Sequence, residues 1–450
     1  LARKLFGTDG IRGVAGEAPL DARTAYAVGV ALGDFARHLD PDPAVLIGMD
    51  TRESGPWLAA SVAGGLQSQG VRCDFAGVLT TPGVAYLTRT GRYVAGVMIS
   101  ASHNPFKDNG IKIFSHAGLK FPDEREEELE KVIFAFLESD KEASPATLEE
   151  DRAFDEQYMG FLASTTPVGL KGTRIVVDGG NGAAYQIGPE ILRRLGADVV
   201  AINCAPNGRN INLNSGALHL ESVQEAVVRE GAELGVAFDG DADRALFVDA
   251  NGQVVDGDGV LYVCGLHYKE RNRLHAASGL QAVVATVMSN LGLEVALREA
   301  GVGLLRTAVG DKYVLQEMLA SDLLLGGEQS GHLIFREFAT TGDGILSALR
   351  VLEVMRETGK SLAELVSGFA VFPQKLVNIR VQEKRAFETM AAVSKEIRKA
   401  EEELGDAGRV LVRYSGTELL ARVMIEARRS EDVERLCAAI SDEIRKEIGA

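Results

Sequence analysis

The chain has 450 residues, of which 46% are hydrophobic and 25% charged, and a formal net charge of −16. That length exceeds what one hydrophobic core supports, so roughly two to four domains are expected, and the balance of apolar and charged residues excludes wholesale disorder. The acidic total excludes nucleic acid as a partner, because phosphates call for a basic face; a small anionic substrate needs Arg and Lys gathered locally in a pocket.

The opening Leu-Ala-Arg-Lys-Leu-Phe-Gly-Thr-Asp is basic but has no apolar core segment, so no secretory signal is expected. Apolar runs such as residues 281–288 fall far short of the ~20 residues needed to cross a bilayer, so no membrane partner is expected and a cytoplasmic enzyme is the reading. Cys73, Cys204, Cys264 and Cys437 stand far apart with no C-x-x-C pair, which predicts buried free thiols and neither a zinc site nor a disulfide framework.

Three stretches repeat one rhythm of short β-rich run, Gly-containing turn and amphipathic helix, the mark of stacked α/β units. In the first, a helix over 21–39 leads to a strand at 45–49, a helix over 56–69 and a strand at 94–99. A helix over 123–138 closes the unit, and its run of Glu reads as a solvated face. The polar stretch 141–150 reads as a linker. The second unit opens with a strand at 173–177, a Gly-Asn-Gly-Ala turn and a helix over 187–195. The third carries strands at 282–287, 304–307 and 323–325 and a helix over 345–357. The last part changes character: strands at 376–381, 409–413 and 421–426 with helices over 384–404 and 431–448 predict a small α+β domain. The fold class is α/β, with three similar domains on mixed sheets (1–150, 151–256, 257–369) and a smaller C-terminal α+β domain (370–450).

Four loops between apolar runs carry chemistry. In Ile-Ser-Ala-Ser-His-Asn-Pro-Phe-Lys-Asp-Asn-Gly-Ile-Lys, residues 99–112, Ser102 can act as a nucleophile, with His103, Lys107 and Lys112 near enough to move protons and offset phosphate charge. The same residues also suit a plain Asx/Ser turn bent by Pro105. In Phe-Asp-Gly-Asp-Ala-Asp-Arg, residues 238–244, Asp239, Asp241 and Asp243 repel one another unless a hard cation joins them, and oxygen-only ligation in a short loop suits Mg²⁺. An EF-hand fits poorly, since no Glu stands at the twelfth position. Arg244 adds positive charge there.

The third loop, Gly-Gly-Glu-Gln-Ser-Gly-His at 326–332, alternates Glu328, Ser330 and His332, which can project together toward sugar hydroxyls or an amino group; a Gly-flanked hairpin is the other reading. The fourth, Arg-Tyr-Ser-Gly-Thr-Glu at 413–418, offers an arginine, two hydroxyls and a glycine as an anion nest, or an ordinary hairpin. Arg12 and Lys312 lie in further Gly-containing turns.

These four loops, in this order and spread over the whole chain, resemble the α-D-phosphohexomutase superfamily, whose four domains each give one loop to a central cleft. The resemblance implies that Ser102 carries a transferable phosphoryl group, that Asp239, Asp241 and Asp243 with phosphorylated Ser102 hold Mg²⁺, and that Arg12, Lys112 and Arg244 line the reacting phosphate. It makes Lys112 and His103 the proton-transfer residues, places sugar recognition on Glu328, Gln329, Ser330, His332 and Lys312, and gives the second phosphate to Arg413, Ser415, Gly416 and Thr417.

Gln329 in place of the Met usual in the phosphomannomutase and phosphoglucomutase branch points to the branch that shifts phosphate between O6 and O1 of glucosamine. That implies an amino-sugar phosphate as substrate and glucosamine 1,6-bisphosphate or glucose 1,6-bisphosphate as primer of Ser102. It leaves a homodimer open. Tyr414 and Leu419 replace two prolines usual in the fourth loop, which puts that loop's rigidity in question. A serine-nucleophile sugar phosphatase would also use Ser102 and the aspartates, but has no use for a separate phosphate anchor.

Overall fold

Runs of Val, Ile, Ala and Leu without alternating polar residues mark strands covered on both faces, and the computed structural model places such runs at the centre of successive sheets. It describes residues 5–7, 9–274, 279–415 and 419–450. Two compact units result, one of Leu1–Met288 with Val302–Ser367 and one of Ser289–Gly301 with Gly368–Ala450.

The larger unit begins with β1 (Ile11–Val14), α1 (Ala22–Leu39), β2 (Ala44–Met49), α2 (Gly55–Ser68), β3 (Arg72–Val78), α3 (Thr81–Thr90), β4 (Ala95–Ile99), β5 (Asp108–Ser115) and α4 (Asp123–Leu137). The sheet runs β1-β5-β4-β2-β3, with β2 parallel to β3 and β4 while β5 is antiparallel to β4 and β1. Asp21 and Thr80 cap α1 and α3 by accepting backbone N–H groups of Thr24 and Gly83.

A second sheet follows from α5 (Ala153–Thr165), β6 (Arg174–Asp178), α6 (Ile187–Arg194), β7 (Asp198–Ile202), α7 (Glu221–Glu230), β8 (Leu234–Phe238), β9 (Ala245–Asp249) and β10 (Val254–Val255), in the order β10-β9-β8-β6-β7. Next come α8 (Gly257–Glu270) and β11 (Ala282–Thr286), then α9 (Leu291–Glu299), which belongs to the smaller unit. The third sheet, β12-β11-β13-β14, is completed by β12 (Gly303–Thr307), β13 (Leu325–Gly327) and β14 (Leu333–Phe335), with α10 (Asp311–Ala320), α11 (Gly344–Thr358) and α12 (Leu362–Val366). In the smaller unit β15 (Gln374–Arg380), β17 (Leu420–Ala427) and β16 (Gly408–Tyr414) pair antiparallel in that order, and α13 (Ala391–Leu404) and α14 (Ser430–Ile448) supply the apolar faces packed on them.

Three expectations need correction and one gains detail. The Glu run of α4 is not wholly solvated: Glu126 and Glu130 are buried, and Glu130 Oε1 accepts from Leu5 N and Phe6 N at 2.7 and 2.9 Å, fixing the N-terminal segment. Residues 141–150 form no helix or strand, as a linker should, but they lie along the first unit, since Ala146 N donates to Ala60 O at 2.9 Å and Glu150 bridges to Phe75. The predicted helix at 384 starts only at Ala391, because Phe387 stacks on Tyr414 with ring centroids 4.4 Å apart and Lys384 Nζ reaches Ser415 O at 2.6 Å. Finally, the thiols are free but only Cys264 and Cys437 are buried; Cys73 and Cys204 are half-buried.

Candidate active site

Ser102 follows the C-terminal end of β4, and the three aspartates follow the C-terminal end of β8, so each loop leaves its sheet at the edge where α/β proteins gather their reactive groups. The two loops meet backbone to backbone: a Cβ at Gly240 would lie 2.4 Å from Ser102 O, so only glycine allows the approach. Ser102 takes a left-handed backbone conformation, φ 52°, which costs a non-glycine residue about 1–2 kcal/mol. That bend carries its Oγ to 2.5 Å from Asp239 Oδ2, to which it donates.

Asp239, Asp241 and Asp243 each bring an oxygen within 4.8 Å of the others, and all three are buried. Burial, then Asp243 and Asp241, pushes the Asp239 carboxyl well above the usual range, while Asp241 is drawn down: burial is outweighed by the Lys112 ammonium and the Thr81 hydroxyl. The Oδ1 atoms of Asp241 and Asp243 are buried without a hydrogen-bond partner. A hard divalent cation answers all three observations, so the residues fit a metal site.

Positive charge surrounds the triad. Lys112 Nζ, fully buried on β5, lies 2.8 Å from Asp241 Oδ2, 3.1 Å from Asp9 Oδ2 and 3.6 Å from Asp243 Oδ2. Burial would strip its proton, but these carboxylates hold it on and raise the ammonium above its ordinary range. Arg12 pairs with Asp9 and donates to Ala101 O at 3.3 Å. Arg244 places Nη1 3.1 Å from His103 Nδ1, which lies 3.3 Å from Ser102 Oγ. Burial, with Arg244 and Arg12, pushes His103 down to about 4, so the ring is neutral at neutral pH.

Of these groups Asp9, Arg12, His103, Asp243 and Arg244 face a cleft of about 450 Å³ whose lining also includes Lys120, Gly310, Asp311, Lys312, Glu328 and His332. Glu328 Oε1 accepts from Gly310 N at 3.1 Å, in a turn whose φ of 132° only glycine holds readily. Lys312 Nζ lies 3.3 Å from Asp123. His332 is buried, and its Nε2 accepts from Gly342 N at 3.2 Å.

Not every residue expected at the site is gathered there. Gln329 turns its Nε2 to Asp256 Oδ2, the N-cap of α8, at 3.1 Å, and Ser330 is exposed outside the cleft lining. Arg413 and Ser415 belong to the smaller unit, where Arg413 on β16 stands opposite Arg422 on β17; Gly416 and Thr417 lie outside the described residues. Tyr414 pins the base of its loop by stacking on Phe387 and donating its hydroxyl to Arg385 O at 2.6 Å, so side-chain contacts hold the chain where a proline is usual.

Sequence reasoning missed several groups. Asp9 sits among Lys112, Lys120 and Arg12, which overcome its burial and hold its carboxyl well below the usual range. Lys120 ties Asp9 to Asp311, Thr81 Oγ1 donates to Asp241 Oδ2 at 2.6 Å, and Arg52 and Asn212 both reach the Ser102 carbonyl. Their only signal was a polar residue just beyond the end of a buried strand, or in a Gly/Asn-rich turn.

Consecutive stretches of the chain match four phosphoglucomutase/phosphomannomutase domains: the α/β/α domains I (residues 3–139), II (156–252) and III (256–372), and the C-terminal domain (376–443). A phosphoglucosamine mutase of Solibacter usitatus is 56% identical over 449 residues, covering 100% of both chains. The chain belongs to the phosphoglucosamine mutases of this phosphohexomutase family. Membership makes it an intramolecular phosphotransferase of the isomerase class. Two solved structures share the fold: a phosphoglucomutase/phosphomannomutase family protein of Burkholderia thailandensis, 24% identical with a TM-score of 0.81 over 99% of each chain, and the Aspergillus fumigatus N-acetylphosphoglucosamine mutase, solved with GlcNAc-6P and magnesium, 18% identical with a TM-score of 0.64 over 98% of this chain and 96% of that one. Among the described residues no helix is long and apolar enough to cross a membrane.

Proposed function

We propose that this phosphohexomutase interconverts glucosamine 6-phosphate and glucosamine 1-phosphate, with Ser102 as the phosphoryl carrier and glucosamine 1,6-bisphosphate as the intermediate, and so feeds UDP-N-acetylglucosamine and cell-wall synthesis. The observation that carries the reading is Ser102 Oγ, set 2.5 Å from Asp239 Oδ2 by a strained backbone and 3.3 Å from His103 Nδ1, with Arg244 on His103, Arg12 on the Ala101 carbonyl and Lys112 on Asp241. In the first half-reaction the P–O bond to Ser102 Oγ breaks as one forms to the free sugar hydroxyl; in the second the other phosphate returns to Ser102. Glucosamine 1,6-bisphosphate or glucose 1,6-bisphosphate primes the serine.

Asp239, Asp241, Asp243 and phosphorylated Ser102 would hold Mg²⁺, whose charge, when bound, neutralises the phosphoryl oxygens during transfer; the magnesium in the A. fumigatus structure supports this choice of ion. The proton of the attacking hydroxyl passes to neutral His103, and Lys112, already pinned by three carboxylates, serves as fixed positive charge. Arg12 and Arg244 orient the reacting phosphate. Glu328, oriented by Gly310, pairs with the 2-amino group of the sugar, and Lys312 and His332 line the same cleft. Gln329 acts indirectly, through the start of α8. Arg413, Ser415, Gly416 and Thr417 anchor the phosphate that is not reacting. Arg413 on β16, opposite Arg422 on β17, supports this by bringing guanidinium charge to the base of that loop.

The test is intact mass together with turnover. Phosphorylated Ser102 is expected in the native protein and absent from Ser102→Ala, whose activity should fall below a few per cent. An active Ser102→Ala, or release of inorganic phosphate in step with sugar turnover, would reject the mutase.

A further inference from the structure

The carbonyl oxygens of Ser102 and Asn104 share the same two donors. Arg52 Nη2 reaches them at 3.1 and 2.6 Å, and Asn212 Nδ2 reaches them at 2.9 and 3.2 Å. Arg52 follows β2 of the first sheet; Asn212 comes from the segment after β7 of the second, 110 residues beyond Ser102. Both side chains are buried, the Arg52 side chain completely, with Asp50 as its ion-pair partner. Asp50 in turn accepts from Ser100 Oγ at 2.5 Å, and Ser100 Oγ accepts the Ser102 N–H at 2.9 Å. The N–H and C=O of Ser102 are therefore both held by one connected network.

Burying a guanidinium to bind main-chain carbonyls of a loop is costly. Nothing in the sheet itself needs it, since β4 and β5 are already paired from Ala95–Ser115 to Ile99–Ile111. What the donors secure is the left-handed turn at Ser102. Asn212 also lies against the acidic loop: a Cβ at Gly240 would stand 2.9 Å from its Nδ2. One side chain thus touches both loops and fixes the spacing between them.

We infer that Asn212 and Arg52 are positioning residues that clamp the Ser102 turn against the acidic loop and so set the alignment of Oγ for phosphoryl transfer. They touch neither substrate nor the reacting oxygen; they act through the Ser102 and Asn104 carbonyls. Without the clamp Ser102 relaxes toward an ordinary backbone conformation, Oγ swings from Asp239, and sugar phosphate still binds because Arg12, Arg244 and Glu328 are untouched.

The inference rests on Ser102 being the phosphoryl carrier, and the experiment separates the two. Asn212→Ala and Asn212→Asp are measured beside Ser102→Ala in the full-length protein. Asp matches Asn in size but has no N–H to give. Both Asn212 variants should lose roughly 30-fold or more in kcat with KM changed less than about threefold, as expected for loss of alignment and not of binding. Their phosphoserine should also hydrolyse faster to inorganic phosphate in pulse-chase. Asn212→Gln, which keeps the amide, should recover part of kcat. Should Asn212→Ala melt below the assay temperature, Asn212→Asp carries the comparison. Unchanged kcat and phosphoserine lifetime in a folded Asn212→Asp, with Ser102→Ala inactive, would overturn the clamp alone; an active Ser102→Ala would overturn the carrier and the clamp together.

Discussion

Lys112 and Asp241 form a buried ion pair, 2.8 Å from Nζ to Oδ2, that joins the strand leaving the serine loop to the acidic loop. Removing the ammonium leaves Asp241 buried beside Asp239 and Asp243 with Thr81 as its remaining donor. In metal-free buffer Lys112→Met should cost about 3–5 kcal/mol, the usual result of stranding a buried charge. Lys112→Met combined with Asp241→Asn should cost less than the sum of the single changes by about 1–3 kcal/mol. Urea midpoints for the four proteins of the cycle give the answer; additive losses would mean the two groups do not depend on each other.

Mg²⁺ should stabilise the chain by mass action. At a hundredfold excess over its dissociation constant the gain is about 2.7 kcal/mol, seen as a rise in melting temperature that EDTA reverses. Asp239→Asn, Asp241→Asn and Asp243→Asn should each lose most of the rise, and EDTA should stop turnover in the native protein. A melting temperature indifferent to Mg²⁺ would leave the triad as a turn held by Lys112.

Glu328 is the anionic group in the cleft that Gly310 aims. Glu328→Gln keeps the shape and removes the charge, so the preference for glucosamine over glucose phosphates should shrink by about 1.5–3 kcal/mol in kcat/KM, the worth of a charge-assisted hydrogen bond. Competition between the two sugars measures it. An unaltered ratio would show that the amino group is read elsewhere.

Asp343 offers a dependence on pH away from the chemistry. It caps α11 through Leu346 N at 2.9 Å and accepts from Tyr158 at 2.7 Å, and burial raises its pKa from 3.8 to about 6. The folded chain binds this proton more tightly than the unfolded chain, so the group's contribution to stability falls as pH rises from about 4 to 6 and stays low above that. At pH 8 the deficit is on the order of 2–3 kcal/mol. Asp343→Asn removes it, so the variant's advantage should appear at pH 8 and vanish near pH 4. Parallel melting curves at the two pH values would mean that Asp343 does not titrate in this range.

The chemistry was legible where a whole functional group sits in one short loop. Asp239, Asp241 and Asp243 repel at a spacing visible in the sequence, and Ser102 stands between an apolar run and two lysines. Arg52 and Asn212 were not legible, because their meaning lies in carbonyls 50 and 110 residues away. Glu130 misled for a similar reason: in an acidic helix it reads as a water-facing side chain, yet its partners are backbone N–H groups 125 and 124 residues upstream. Alternation placed Glu328, Ser330 and His332 on one side, but Ser330 is exposed and Gln329 caps into α8, since a hairpin tip does not keep the strict two-residue period of a strand. The fold class came through because strand-turn-helix repetition is local, whereas α13 started late because Phe387 and Lys384 are spent on Tyr414 and Ser415, contacts no helical pattern reveals.

Ser102 and Asp239 stand 137 residues apart and on different sheets. On the ribosome, a chain that has emerged only as far as its first sheet holds the serine, Lys112 and Arg12, but neither the acidic loop nor Asn212. Such a nascent chain has His103 beside its Oγ and Arg52, Asp50 and Ser100 on its turn, but neither the carboxylate that receives the hydroxyl nor the amide that completes the clamp. The setting of the serine is therefore completed only when residue 243 has left the exit tunnel and the second sheet has closed, with Glu328 and Arg413 still to be made.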